Sequence, residues 1–159
     1  MKLTIELVPK TSWYSNVRSN VSRKEWDVIR KRSYADANHV CEICGGVGTK
    51  HPVECHEIWD YNDETHEQTL VGLISLCPTC HGVKHAGLSI SKGKEDLVVS
   101  QLMKVNGMTR NQAVTYINES FDKFVERSKH TWKVNIDYLE TYINKVKNTN
   151  GAAQSIEQG

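Results

Sequence analysis

Hydrophobic and polar positions alternate from the first residues. Leu3, Ile5 and Leu7 fall on one face and Thr4 and Glu6 on the other, and Pro9 closes the run, so residues 2–8 are predicted to form a short strand. Ser22-Arg23-Lys24-Glu25 then has capping-box spacing. Trp26, Ile29, Ser33/Tyr34 and Ala37 recur at helical intervals, which predicts a helix over about 23–37. Alternation returns at Val53, Cys55 and Glu57, with Glu54, His56 and Ile58 on the opposite face of a second strand. A polar loop is expected over 60–68 and a third strand over about 70–76. Pro78 suits a first helical turn and Gly87 a C-cap, framing a helix at about 78–86.

Downstream, Leu97, Val98, Val99, Leu102, Met103 and Val105 mark a helix stopped by Asn106-Gly107. Thr109-Arg110-Asn111-Gln112 is a second capping box. The stripe Val114, Ile117, Phe121 and Phe124/Val125 predicts a helix over about 110–127, packing on the core rather than on a partner. Trp132, Val134 and Ile136 alternate as a short strand, Tyr138, Tyr142 and Val146 mark a last helix, and 148–159 reads as a flexible tail. The whole reads as an α+β fold: 1–40 as an N-terminal strand and basic helix, 41–87 as a strand-strand-helix module around metal, 88–147 as a helical extension, and then the tail.

Composition narrows the class. With 159 residues, 38% hydrophobic and 25% charged, the chain should form one compact domain. It has no apolar run long enough to span a membrane, and its alternating start is unlike a signal peptide, so a cytoplasmic protein is expected. The net charge of +1 hides an asymmetry: residues 1–34 carry eight Lys/Arg and three Asp/Glu, whereas 35–80 carry one Lys and eight Asp/Glu. A basic first segment suits a phosphate backbone. Arg18, Arg23, Lys24, Arg30, Lys31 and Arg32, joined by Lys84, are candidate nucleic-acid contacts, with Trp13, Tyr14, Trp26 and Tyr34 interleaved. Trp26 lies on the apolar face of its helix and reads as core.

The cysteines carry the strongest signal. In a reducing compartment, Cys41-Glu42-Ile43-Cys44 and Cys77-Pro78-Thr79-Cys80 argue for a tetrahedral structural zinc over disulfides. The 32 residues between the two knuckles exceed a compact zinc ribbon and leave room for a hairpin with a second site. His81 and His85 share one helical face, a spacing suited to joint metal ligation. Cys55 and His56 point to opposite faces of a regular strand, so one can bind metal while the other meets substrate. The second set is therefore Cys55, His81 and His85 around a divalent ion, with His56 free.

From Cys41 to His85 the chain resembles the HNH, or ββα-metal (His-Me finger), endonucleases in their zinc-stapled form. The resemblance rests on the first knuckle, a strand bearing Cys55-His56, a hairpin, and Leu76-Cys77-Pro78-Thr79-Cys80-His81 entering a helix. It implies metal-dependent hydrolysis of DNA phosphodiester bonds, with His56 as general base and the helix histidines holding the catalytic ion. Two positions depart from the family pattern. The family's asparagine falls at Gly72, for which Asn62 or Gln68 are candidate substitutes. Cys55 stands where an aspartate or histidine is usual, which shifts preference toward zinc or nickel, whereas Glu54 or Glu57 as an oxygen ligand favours magnesium or manganese. Cleavage of both strands would suit a homodimer.

Two other classes compete. One is a zinc-stapled nucleic-acid-binding or adaptor protein without catalysis, which leaves the imidazoles unexplained. The other is a zinc deaminase, suggested by Cys55-His56-Glu57 followed by Cys77-Pro78-Thr79-Cys80, but its proline lies inside the second motif and it gives Cys41, Cys44, His81 and His85 no role.

Overall fold

The computed structural model of the chain describes residues 1–144. Val146 of the expected last helix and the tail 148–159 lie outside them. A 3₁₀ turn, Lys10–Ser12, leads to α1 (Val17–Asn20) and α2 (Arg23–Asp36). The hairpin β1 (Glu54–Asn62) and β2 (Glu67–Leu76) follows, then α3 (Pro78–Lys84), α4 (Ala86–Ser91), α5 (Glu95–Asn106), α6 (Arg110–Arg127) and β3 (Lys133–Asn135). Residues 138–144 are helical again up to the end of the described chain. The fold is mixed α and β, with a three-stranded sheet in the order β1-β2-β3 among the described residues.

Local signals place the helices. Ser22 Oγ accepts from Glu25 N while the Glu25 carboxylate accepts from Ser22 N, and Thr109 and Gln112 repeat the exchange at α6. Each box satisfies two otherwise orphan donors at a helix start. Gly107, at φ 67°, ends α5 in the left-handed conformation that glycine adopts without strain. Of the expected α6 stripe, Ile117 is buried with Val98, Val99 and Leu102 of α5, and Val114 and Phe121 pack on the same cluster, whereas Val125 is exposed; Ala113 is buried beside them.

Three boundaries differ from expectation. Residues 2–8 form no strand, although Leu3 is fully buried. Asn106 bonds both the N–H and the carbonyl of Leu3 (2.8 and 2.7 Å), Tyr116 OH accepts from Ile5 N (2.9 Å), and Glu6 N donates to Lys84 O (3.2 Å). Two helix side chains and the Lys84 carbonyl thus satisfy this backbone in place of a neighbouring strand. The expected polar loop 60–68 belongs mostly to the hairpin, since Asp60, Tyr61 and Asn62 pair with Thr69, Gln68 and Glu67. The turn shrinks to residues 63–66 because Asn62 Oδ1 accepts from Glu64 N (3.0 Å) and Thr65 N (3.1 Å). Finally, the helix expected over 78–86 ends at Lys84, not at a Gly87 C-cap. His85 (φ −102°, ψ 47°) breaks it, α4 starts at Ala86, and Ser89 Oγ bonds the Gly82 carbonyl (2.7 Å).

The hairpin divides the interior. One cluster joins Leu3, Leu76, Val83 and α5–α6 to Cys41, Cys77 and Cys80, and the other joins Val17, Ile29, Trp59, Leu70 and Leu139. Two buried serines, Ser33 of α2 and Ser75 of β2, hydrogen-bond at 2.8 Å where α2 crosses the sheet. No helix of the described residues is long and apolar enough to cross a membrane.

Candidate metal centres

The first centre closes the gap between α2 and the hairpin. After α2, Asn38 and His39 turn the chain at φ 53° and 58°, and Gly45, at φ 73°, folds the first knuckle back on itself. At the second knuckle, Cys77 is the N-cap of α3, and its Sγ accepts from Cys80 N at 3.4 Å. The four sulfurs of Cys41, Cys44, Cys77 and Cys80 lie within 4.8 Å of one another, with Cys44 and Cys77 at 3.6 Å. A zinc tetrahedron with bonds of about 2.3 Å has edges of about 3.8 Å, so the set fits zinc. All five cysteines are free of disulfides.

Backbone amides and one side chain complete the sulfur environment. Cys44 N points at Cys41 Sγ (3.5 Å), Gly46 N at Cys44 Sγ (3.4 Å) and Gln101 Nε2 at Cys80 Sγ (3.2 Å). Burial works against ionising Cys41, yet backbone N–H groups outweigh it and bring its thiol down to about 7. Burial pushes the Cys80 and Cys77 thiols up, and neighbouring sulfurs add to the effect. Crowded buried thiolates need a cation, which a tetrahedral zinc would supply.

The second centre is built of imidazoles. Nitrogens of His56 on β1, His81 on α3 and His85 at its C-cap lie within 4.8 Å of one another. His81 Nδ1 bonds Glu54 Oε2, and Glu54 Oε1 bonds His51 Nε2 at 2.8 Å. A carboxylate on Nδ1 fixes that proton and leaves Nε2 as a lone pair, the usual outer support of a ligating histidine. His81 Nε2 faces His85 Nε2 at 3.1 Å, close to the separation of about 3.3 Å between two nitrogens on one tetrahedral zinc. Burial, then the adjacent imidazoles, push His85 down to about 4, and burial also lowers His56. Neutral rings are the form that binds metal or accepts a proton.

His56, only 6% exposed, has its own support. Its Nε2 lies 3.2 Å from Glu6 Oε2, while Glu6 Oε1 accepts from Lys84 Nζ (2.9 Å), which also donates to Thr4 Oγ1 (2.7 Å). Burial alone would raise the Glu6 carboxyl, but the His56 hydrogen bond and the Lys84 ammonium hold it below its ordinary value.

No family model, curated protein or solved structure matches the chain. Its chemistry therefore rests on these two clusters and the surface around them. A cleft of about 680 Å³ opens beside the histidines, with His56, His81 and His85 in its wall and Trp13, Trp26 and Phe124 among its apolar lining.

The expected residues divide. Cys41, Cys44, Cys77 and Cys80 come together, and so do His81 and His85, but His56 and not Cys55 is the third member of their cluster. Strand alternation turns the Cys55 thiol toward Ser33 of α2, and burial pushes it up to about 11, so it stays a protonated thiol. Lys84 is not a phosphate contact either: it is 5% exposed and tied to Glu6. Arg23, Lys24 and Lys31 are exposed along α2, whereas Arg30 and Arg32 pair with Asp27 and Asp36, each at 2.9 Å. Glu57 accepts from Val17 N (2.9 Å) and Trp59 Nε1 (3.1 Å) and so anchors α1, and Glu54 is occupied by two histidines. Trp26 packs half-buried against the second cluster, and Gln68 is buried beside Ser12. Opposite the bulge at Ile58/Trp59, a Cβ on Gly72 would meet Ile58 Cδ1 at an ordinary 3.4 Å.

Sequence reasoning missed Glu6, the role of Glu54 in orienting His81, and Lys10 at the cleft. The pattern held one clue, since alternation set Thr4 and Glu6 on one face and both meet Lys84. Two predictions follow from these supports. Glu54→Gln should weaken metal binding at the histidine cluster about 10- to 100-fold by calorimetric titration while leaving metal binding at the cysteine cluster unchanged. Lys84→Ala should cost about 1–3 kcal/mol in denaturant unfolding because it removes the ammonium partner of the half-buried Glu6 carboxylate. If Lys84 were a surface phosphate contact, stability would not move.

Proposed function

We propose that the chain is a metal-dependent endonuclease of the HNH, ββα-metal type that hydrolyses DNA phosphodiester bonds. The observation that carries this reading is the convergence of His56, His81 and His85 on a cleft wall, where a hairpin runs into a helix beside four clustered cysteines. A structural zinc staples the module through Cys41, Cys44, Cys77 and Cys80. His81 and His85 hold a divalent ion, zinc, nickel, manganese or magnesium, with Glu54 orienting His81.

When bound, that ion supplies Lewis-acid stabilisation of charge developing on the phosphoryl group and the leaving oxygen. His56 takes the proton of the attacking water. Glu6 accepts from His56 Nε2, leaves Nδ1 as the basic nitrogen and steadies the imidazolium that forms, while Lys84 keeps Glu6 ionised. Asn62, which closes the hairpin turn, supplies the loop-pinning that an asparagine at the Gly72 position would give. A deaminase is disfavoured, because Cys77 and Cys80 group with Cys41 and Cys44 and not with His56, and Glu57 is engaged by α1 and Trp59.

Elemental analysis combined with supercoiled-plasmid cleavage in each of the four metals tests the proposal. Two metals per chain and nicked or linear product are expected. A protein that binds DNA and cuts it in none of the metals would instead be a zinc-stapled binding protein.

A further inference from the structure

The cleft carries features that phosphodiester hydrolysis alone does not use. Trp13 is 58% exposed, yet its indole N–H donates to Val8 O at 2.6 Å and its ring lies within 12° of parallel to Phe124, centroids 6.2 Å apart. A pinned, flat and exposed indole is a platform whose ordering cost is already met. Deeper in, Gln68 is fully buried: its Oε1 accepts from Ser12 Oγ at 2.8 Å, and its Nε2 finds no acceptor among the described residues. Both residues border the cleft, and the enclosed amide adds a polar group to its wall. Lys10 and Arg18 add positive charge to the same lining.

We infer that the cleft is a base pocket. It takes an unpaired nucleobase that stacks on Trp13, with Lys10 and Arg18 meeting the flanking phosphates. The substrate is then a single-stranded or locally unpaired nucleic acid, a reading that rests on the proposed phosphodiesterase for its cleavage step but not for binding. In a duplex, neighbouring pairs cover the base faces, and a cleft of about 680 Å³ has the size of a small-ligand pocket rather than a duplex groove. An aromatic side chain of a peptide would fit the walls, but it lacks the phosphates for the two cations.

Fluorescence anisotropy without added divalent metal tests this, using a twelve-nucleotide strand and its duplex, in deoxy and ribo versions. The single strand should bind at least tenfold tighter than its duplex in one sugar series or both. Trp13→Ala should weaken single-strand binding about tenfold, the loss expected for one base–aromatic stack, and Trp13→Phe should restore most of it. Leu97→Ala, at an exposed apolar residue of α5 outside the cleft lining, should stay within about twofold of wild type. Thermal melts check that each variant is folded. Duplex binding as tight as single-strand binding in both series, or an equal loss on both from Trp13→Ala, overturns the base pocket. Plasmid cleavage separates the two proposals: metal-dependent cutting without single-strand preference sinks the pocket and leaves the hydrolase, whereas Trp13-dependent single-strand binding without any cutting does the reverse.

Discussion

Chelating the metal of the cysteine cluster, or replacing Cys80 by serine, should unfold most of the protein. Cys41, Cys77 and Cys80 are at most 6% exposed and belong to the same core cluster as Leu3, Leu76, Val98 and Leu102. Without a cation, this core would hold crowded thiols whose burial already opposes their ionisation. The loss would also be topological. The cluster joins the segment after α2 to the start of α3, and Cys77 Sγ is the N-cap of that helix. Structural zinc contributes about 10–16 kcal/mol of apparent binding free energy in isolated zinc-finger peptides, and a domain of this size is stable by only about 5–15 kcal/mol. A loss of several kcal/mol is therefore enough to leave little folded chain. Far-UV circular dichroism during chelation, with a colorimetric dye counting released zinc, should show helix signal falling as zinc leaves. Cys55→Ser should cost only about 1 kcal/mol, because that thiol belongs to neither cluster. A Cys80→Ser protein that melts within a few degrees of wild type would remove zinc from the account of the fold.

What was legible in the sequence was mostly local. Capping boxes at Ser22/Glu25 and Thr109/Gln112 act over three residues, and the Gly107 stop is a property of one, so the helices they bound could be read directly. The cysteine spacing was equally local within each knuckle. Contacts made at long range were not legible. Alternation put Cys55 and His56 on opposite faces, but only the packing of α2 on one side and α3 on the other decides which meets His81. Lys84 looked like a surface cation because its partner Glu6 lies 78 residues away, on a segment whose backbone is held by Asn106 and Tyr116 rather than by a sheet. The polar residues 60–68 looked like loop because strands are expected to be apolar on one face, yet here Gln68 is the buried member of the pair with Tyr61.

Replacing His56 should separate the two possible uses of its ring, as base or as third ligand. His56→Ala is expected to lower metal-dependent cleavage by about 10²–10⁴-fold, the range for loss of a general base, while the second metal stays bound. In the proposed mechanism His81→Ala and His85→Ala should abolish cleavage and metal binding at the histidine cluster together, since their Nε2 atoms face each other at 3.1 Å and Glu54 orients His81. Glu6 serves either use. A carboxylate 3.2 Å from His56 Nε2 would stabilise the cationic ring of the proposed reaction and would equally orient a ligating ring, as Glu54 does for His81, so the metal count of His56→Ala decides between them. Glu6→Gln keeps the hydrogen bond and loses the charge, so it should cut more slowly than wild type and faster than His56→Ala, with the metal count unchanged. Metal content by elemental analysis, taken beside single-turnover cleavage rates, reads both effects in one set of variants. Full activity in His56→Ala ends the proposed mechanism. Loss of the second metal in that variant makes His56 a ligand and moves the base to another residue of the cleft.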